Sequence, residues 1–437
     1  MANSINKLLD DLDQLVDVVE EKLSLKEAKD KTLDLSISKL DTMLKELVDY
    51  ANEDSVVKRS SMPLNLNEKI DHFANSYTES TPEVQQATNN KPHLLNQYQD
   101  LLIGIDLGTA CSAVMSNRGD LFSFESVVGY VKDIIGSKLL KADYLVGDEV
   151  SNYSFLDINY PLNDGVIKQE AGLNYDAARK LIQHAVELVK PYQGQRTCAV
   201  IGIPANTSQA NQKLLLELAK EQLDIAIVLS EPFMVAYGLL QLNDAIIVDI
   251  GAGTIDICAL KGRLPEAKDQ VSITKAGNYI DALLMDMIEV SHPRLSLGKK
   301  YVRGIKEKHA FVGEPLTRVE LNVHRGGERV IIDISDEIRR ACESIVPDLL
   351  EQLKILIAGI EVTLQSRAIA NIILSGGGSR IEGLDKMIIN GLRDFGNIQV
   401  SRVQDIVYPG AAGALKLACE LPPEYWTEFT EKFDDDD

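Results

Sequence analysis

The stretch Ile246–Leu260, IIVDIGAGTIDICAL, decides the fold. Its two apolar runs are short, rich in branched residues and separated by glycine, which favours two strands over one helix. Gly251 and Gly253 permit a tight turn and leave backbone N–H groups uncovered. A row of such groups forms an anion-binding concavity. Leu101–Met115, LLIGIDLGTACSAVM, has the same form, with Gly108 in its turn. In both copies an aspartate closes the first strand, Asp106 and Asp249, and a threonine enters the turn, Thr109 and Thr254. Two glycine hairpins facing each other, with carboxylates beside them, describe a site for Mg²⁺ and a nucleotide polyphosphate. One copy alone reads equally well as an ordinary β-hairpin; two matched copies do not. A third glycine stretch, Asn371–Gly383, NIILSGGGSRIEG, reads as a strand, then Gly376–Gly378, then a helix start near Ser379.

The chain has 437 residues, enough for more than one domain. A net charge of −21 argues against a general nucleic-acid or anionic-membrane binder. The five cysteines, Cys111, Cys198, Cys258, Cys342 and Cys419, are widely spaced, which predicts buried free thiols in a reducing cytosol. The histidines show no metal-ligand spacing. The acidic start MANSINKLLDDLD lacks the basic region of a signal peptide, and no apolar run is long enough to span a bilayer. A cytoplasmic protein without direct membrane insertion is the expectation.

Residues 1–50 have a 3–4 apolar spacing, Ile5, Leu8, Leu12, Leu15 and Val19, then Leu33, Ile37, Leu40, Leu44 and Leu47 in a shifted phase. The pattern fits a short coiled coil or helical hairpin, or an amphipathic helix packed on the core. A membrane-surface helix ranks below these, because Asp10, Asp11, Asp13 and Asp17 would repel anionic lipid. Residues 51–100 are polar, carry Pro63, Pro82 and Pro92, and read as a disordered linker. From Leu101 strands alternate with helices, which predicts an α/β architecture with a mixed sheet. The second hairpin repeats the first about 140 residues later, as a duplicated fold would. The reading is therefore lobe I over 101–243, with a small insertion near 129–161, and lobe II over 244–426, with an insertion near 279–333. An acidic tail, 427–437, closes the chain. Ser335 reads as the N-cap of the helix SDEIRRA, with Pro347 kinking or ending it.

The two aspartate–glycine–threonine hairpins, the dipeptide Glu231-Pro232 and the late GGGSRIEGL resemble the ATPase superfamily of actin, the 70-kDa heat-shock chaperones and the sugar kinases. The resemblance covers roughly Leu101 to Trp426 and implies a duplicated actin-like fold, two lobes around a nucleotide cleft. Phrases spread along the core, among them FESVVGYVKDII, NYPLNDGVIK, SEPFMVAYGL, TKAGNYID and LPPEYW, are similar to the magnetosome branch of the bacterial actins. That branch implies an ATPase forming homopolymeric filaments alongside magnetosomes, with ATP and Mg²⁺ as cofactors.

Carried onto this chain, the resemblance makes Asp106 and Asp249 the metal environment, through water, since Mg²⁺ keeps much of its hydration shell. Glu231 would orient the attacking water, with Gln209 and Asn211 as weaker alternatives. Gly108, Thr109, Ala110 and Cys111 would grip phosphate from one side, and Gly251, Ala252, Gly253 and Thr254 from the other. Gly376, Gly377 and Gly378 would approach the α-phosphate and ribose, with Ser379 and Arg380 near the adenine and Lys306 near the ribose or base. Arg303 stands roughly where some relatives carry a glutamate. A monomeric chaperone-type ATPase and a small-molecule kinase are the competing readings. Against them stand the expectations that no peptide-binding domain follows the core and that no catalytic aspartate motif serves a sugar hydroxyl. Residues 1–50 would meet a coiled-coil partner or neighbouring filaments. A chain starting near Gln97 should therefore retain ATP turnover and pelleting but lose lateral association. Turnover, pelleting and electron microscopy beside the full chain check this, and failure to fold or bind ATP would place the helices in the core.

Overall fold

The structure, a computed structural model, describes residues 100–426 apart from 168–171, 294, 296, 315–316, 326–327 and 423–424. The expectations placed on the extension 1–50, on the linker up to residue 99 and on the tail 427–437 lie outside the described residues.

Lobe I is built on β1 (Leu101–Leu107), β2 (Cys111–Ser116), β3 (Leu121–Glu125), β4 (Thr197–Ile203) and β5 (Ile225–Ser230). Lobe II is built on β6 (Asn243–Ile250), β7 (Ile255–Lys261), β8 (Gln270–Ile273), β9 (Ile372–Ser375) and β10 (Val400–Arg402). The spatial orders are β5-β4-β1-β2-β3 and β10-β9-β6-β7-β8, one topology used twice. In each sheet the first strand pairs antiparallel with its hairpin partner and parallel with the next strand on the other side. Strands covered on both faces read as continuous apolar runs. Leu101, Ile103 and Ile105 in β1 and Ile246, Ile247 and Val248 in β6 are fully buried.

The helices that matter for the cleft are α1 (Leu173–Leu188), α2 (Gln209–Lys220), α3 (Glu231–Gly238), α4 (Gly277–Ser291), α5 (Lys299–His309) and α6 (Pro409–Glu420). Leu181, Ile182 and Leu218 on α1 and α2 pack with Ile103, Ile105 and Ile201 of sheet I. Ile280, Leu284, Val302 and Ile305 on α4 and α5 share one core with Ile246 and Val248, so these helices are part of the body of lobe II. Two helices change lobes. The chain enters α3 from β5 of lobe I, yet Phe233, Val235 and Ala236 pack on Ala245, Ile247 and Cys258 of lobe II. It enters α6 from lobe II, yet Ala414 and Ala418 pack on Leu102, Cys198 and Val200 of lobe I. The two helices touch through glycine. A Cβ on Gly413 would lie 1.8 Å from the Met234 carbonyl oxygen, and one on Gly238 would lie 3.2 Å from the Cα of Gly413.

A small three-stranded sheet, Tyr144–Val146, Val128–Val131 and Leu156–Asn159, projects from lobe I around its own core of Val127, Val150 and Leu156. It is tied to α1 by the Tyr130 hydroxyl, which donates to Asp176 at 2.8 Å, and by Lys180, 4.2 Å from the Tyr144 ring centre.

Four local expectations need correction. Ser335 is the first residue of the helix Ser335–Glu343, not its cap. Its hydroxyl accepts from the Val319 N–H at 2.8 Å, and its own N–H is taken by Asp333 at 3.0 Å. Pro347 neither kinks nor ends that helix; it sits in the first turn of the next one, Val346–Ala358, where its missing N–H costs nothing. Gly376–Gly378 runs into a single 3₁₀ turn, Gly377–Arg380, and an α-helix starts only at Leu384. Cys198, Cys258 and Cys342 are buried free thiols, but Cys111 and Cys419 are exposed.

Because nothing can move to admit a methyl group at the crossing, Gly413→Ala should destabilise the protein by about 1–3 kcal/mol, the range for overpacking. Gly304→Ala, at an exposed position inside α5 with nothing within 4 Å, is the control and should be neutral or stabilising by up to about 1 kcal/mol. Denaturant unfolding of the two variants checks this.

Candidate functional site

The ends of β1 and β6 meet across a cleft with a cavity of about 410 Å³. That size falls in the range of small-molecule and cofactor sites. Asp106, Gly108, Thr109, Ala110, Cys111, Glu231, Asp249, Gly251, Ala252, Gly253, Thr254, Lys306, Gly376, Gly377, Gly378 and Arg380 all line it. Ser379 does not: it is buried, and its hydroxyl donates to the Gly376 carbonyl at 2.7 Å, bracing the glycine turn from behind. Gln209 and Asn211 are also absent from the cavity wall. They belong to the first turn of α2, where the Ser208 hydroxyl caps the helix by accepting from Asn211 N–H.

Each hairpin turn is held by its carbonyls. The Ser126 hydroxyl donates to the Gly108 carbonyl at 2.6 Å, and the Ser126 N–H to the Ala110 carbonyl at 3.0 Å. In lobe II the first N–H groups of α4, Gly277 and Asn278, donate to the carbonyls of Gly251 at 3.1 Å and Ala252 at 2.7 Å. With these carbonyls engaged from behind, and the Gly251 N–H closing its own turn onto the Thr254 carbonyl at 2.8 Å, the remaining turn amides are what an anion would meet. The turns approach closely: a Cβ on Gly253 would come 2.3 Å from Thr109 Oγ1. Thr109 Oγ1 accepts from the Gly165 N–H at 2.7 Å, so one of its lone pairs is committed and its proton is what remains for a ligand. Gly165 was not singled out from the sequence. It belongs to the turn Asp164-Gly165, with φ of +49° and +73°, between two-residue strands, and Asn163-Asp164-Gly165 is the turn chemistry that signals it.

The third glycine stretch is shaped by Asp249. Gly376 has φ +72°, and a Cβ there would lie 2.4 Å from Asp249 Oδ1. At the far end of the cleft Lys306 is already paired, donating to the Gly277 carbonyl at 2.9 Å and meeting Asp281 at 2.9 Å. Arg303 lines the same end and bonds Glu307 at 3.1 Å.

Electrostatically the cleft is a well of negative charge. Burial pushes the Asp106 carboxyl up to about 6, with Asp256 adding to it. Burial, then Asp106 and Asp256, push Asp249 up to about 7. Burial and the same neighbours hold Glu231 well above the usual carboxylate range. Its Oε1 is buried and has no hydrogen-bond partner. Among the described residues none of these carboxylates has a lysine or arginine partner. An orphaned carboxylate oxygen and clustered acids without a counter-charge fit a cation. No three acidic, histidine or cysteine side chains among the described residues are grouped closely enough to ligate one directly. That suits an ion holding its water shell.

Asp256 was missed in the sequence. It stands directly opposite Asp249 in the β6–β7 register, where the first hairpin has Ala113 opposite Asp106. Aligning the two hairpins residue by residue reveals it as an acid in place of an apolar residue.

The region 100–419 matches the family model described as MreB/Mbl protein. The chain belongs to the MreB/Mbl protein family. Within this family it is 46% identical over 329 residues to the actin-like protein MamK of Magnetospirillum gryphiswaldense, covering 75% of this chain and 91% of that protein. Among solved structures it is similar to a MamK double helical filament, at 45% identity and a TM-score of 0.72, covering 74% of this chain and all of that one. A non-polymerising MamK mutant bound to AMPPNP matches at 45% identity and a TM-score of 0.60, over 74% of this chain and 99% of that one. This MreB/Mbl-family chain thus has the actin-like fold, and no helix among its described residues is long and apolar enough to cross a membrane.

The sign of the pH effect follows from the raised carboxyls. Folded Asp249 holds its proton to about pH 7, against 3.8 for the ordinary group. The nucleotide-free fold therefore loses stability as pH rises through that window, because the unfolded chain releases the proton earlier. Asp249→Asn should stabilise the ligand-free protein on the order of 2–4 kcal/mol near pH 8, and the gain should vanish as pH falls toward 4. Denaturant unfolding of both proteins across that range checks it.

Proposed function

We propose that this protein binds ATP with Mg²⁺ in the cleft, hydrolyses it, and polymerises with copies of itself into cytoplasmic filaments that organise or position magnetosomes. The observation that carries the reading is the pairing of two amide-lined hairpins with a buried, uncompensated carboxylate cluster. The MamK filaments among its relatives support the assembly part.

The residues divide the work. The turn amides of Gly108–Cys111 and Ala252–Thr254 grip the phosphates from the two lobes, with Gly251 closing the second turn, which positions the phosphoryl group between them. Asp106 and Asp249 orient the water shell of the metal. Mg²⁺, when bound, supplies the positive charge that the triphosphate and these carboxylates lack. Glu231 stands at the N-terminus of α3, lines the cavity and keeps one buried oxygen without a hydrogen-bond partner; it orients the attacking water. Burial holds its proton affinity well above that of an ordinary carboxylate, which makes it a stronger proton acceptor. Phosphoryl transfer is mainly positioning and charge stabilisation, so no covalent nucleophile is needed. Gly376–Gly378 border the α-phosphate and ribose, and Lys306 and Arg380 the nucleoside end. Self-association through surfaces of both lobes would make filament stability depend on which nucleotide the cleft holds.

Glu231→Ala should bind ATP with affinity near that of the parent but turn it over about 10²–10⁴-fold more slowly, the range for losing a general base. Its filaments should persist after formation. Phosphate release and light scattering on the purified chain measure both, and disassembly at the parent rate would remove Glu231 from the role.

A further inference from the structure

The two hairpins share a register but differ in chemistry at one position, Ala113 in the first and Asp256 in the second. Asp256 is 1% exposed, lies behind the cavity wall, and has no lysine or arginine partner among the described residues. Burial of a carboxylate without a cation is unfavourable unless hydrogen bonds compensate. The donors it receives come from both lobes. The Ala205 N–H, two residues past the end of β4 in lobe I, donates to Asp256 Oδ1 at 2.8 Å. The Ser272 hydroxyl, on β8 of lobe II, donates to the same oxygen. Ser272 Oγ in turn accepts from the Asn206 N–H at 3.3 Å, and Asn206 Nδ2 donates to the Gln270 carbonyl at 3.3 Å.

We propose that Asp256 is a positioning residue whose carboxylate ties the Ala205–Asn206 backbone of lobe I to the β7–β8 edge of lobe II, and that this tie sets the separation of the two phosphate hairpins. The proposal rests on the nucleotide reading of the cleft. The mechanical link is short. Gly202, three residues before Ala205, backs the reactive end of the cleft: a Cβ there would lie 3.2 Å from Glu231 Cγ and 3.6 Å from Asp106 Oδ1. On the other side, Asp256 is two residues from Thr254 of the second hairpin. Releasing Ala205 from Asp256 frees the end of β4, and with it the backing of Glu231 and Asp106, to move relative to β6. The tie needs an acceptor oxygen, not a charge. Asparagine can accept the Ala205 and Ser272 bonds through its own Oδ1, and the Thr254 hydroxyl, which also donates to Asp256, can turn to accept from the new amide, whereas alanine accepts none.

The test uses the full chain as parent, Asp256→Asn and Asp256→Ala. Hydrogen exchange of the peptide containing Ala205 and Asn206 reads the tie without any nucleotide. Stopped-flow release of a fluorescent AMPPNP analogue reads the hairpins. Asp256→Ala should speed exchange at Ala205 and raise the analogue's dissociation rate about tenfold or more, as expected when the hydrogen bonds to a charged group are lost. Asp256→Asn should restore both to within about threefold of the parent, since it keeps the acceptor. If Asp256→Ala does not fold, Ser272→Ala, which removes one donor, should shift both readings in the same direction by less. An unchanged dissociation rate with accelerated exchange would overturn the link to the hairpins. An Asn variant as defective as the Ala variant would also overturn the proposal, because charge and not the tie would then be the requirement. If the parent binds no nucleotide analogue, the nucleotide reading fails. Slow exchange at Ala205 that Asp256→Ala releases would still establish the tie, and exchange unaffected by that substitution would refute it.

Discussion

The structure is organised around a surplus of buried negative charge. Asp106 and Glu231 come from lobe I and the helix that leaves it, and Asp249 and Asp256 from lobe II; the raised proton affinities of Asp106, Glu231 and Asp249 record burial first and neighbouring acids second, and that of Asp256 records burial against its hydrogen bonds. Without a cation the two lobes meet across a repulsive seam. What the fold supplies of its own is partial charge. Glu231 occupies the first turn of α3, and the N-terminus of α6 abuts Asp106, so close that a Cβ on Gly410 would stand 2.2 Å from Asp106 Oδ2. Two helix N-termini offer the positive ends of their dipoles. That is worth roughly 1 kcal/mol apiece, up to about 2 when partly buried, and does not neutralise the cluster. The remainder is net negative charge that a bound cation would offset.

The same argument explains why the hairpins are braced as they are. An amide concavity attracts anions only if its amides are free and its carbonyls are not exposed beside them. Lobe I meets this with one serine, Ser126, and lobe II with the start of a helix, α4. The solutions differ although the strands that carry them share one topology. Duplication therefore fixed where the turns lie, and each lobe found its own way of holding them.

Much of this was legible in the sequence. The strand–glycine–strand pattern at Asp106 and Asp249 identified both hairpins, because short branched runs flanked by glycine leave few alternatives. Lobe topology followed from their repetition. Asp256 was invisible for a different reason: in a single strand an acid reads as the exposed face, and only the register against Asp249 turns it inward. Ser379 was misplaced because GGGSR fits a helix start as well as a 3₁₀ turn, and only the turn directs the serine hydroxyl back to Gly376. Ser335 was misread as a cap because Asp333, two residues earlier, competes for its N–H. Each of these three concerns a polar side chain whose partner lies on another element, or two or three residues away, and whose choice no periodicity records.

The exchange of helices decides which side of the molecule can yield. Where α3 crosses α6, backbone meets backbone at Gly238 and Gly413, and neither lobe can slide without overpacking that costs about 1–3 kcal/mol per intruding methyl. On the cleft side the links between lobes are polar and few. Lys300 on α5 reaches Glu125 on β3 at 3.8 Å, with both side chains largely exposed, and such a pair contributes about 0–1 kcal/mol. The Asp256 bonds are the only buried polar ties described between the sheets on that side. A stiff pivot at the glycines and weak, polar closure at the mouth give a bound ligand leverage. A ligand bridging the two hairpins would act first on the polar side, which is held by an exposed ion pair and a few hydrogen bonds, because at the glycine crossing backbone already rests on backbone.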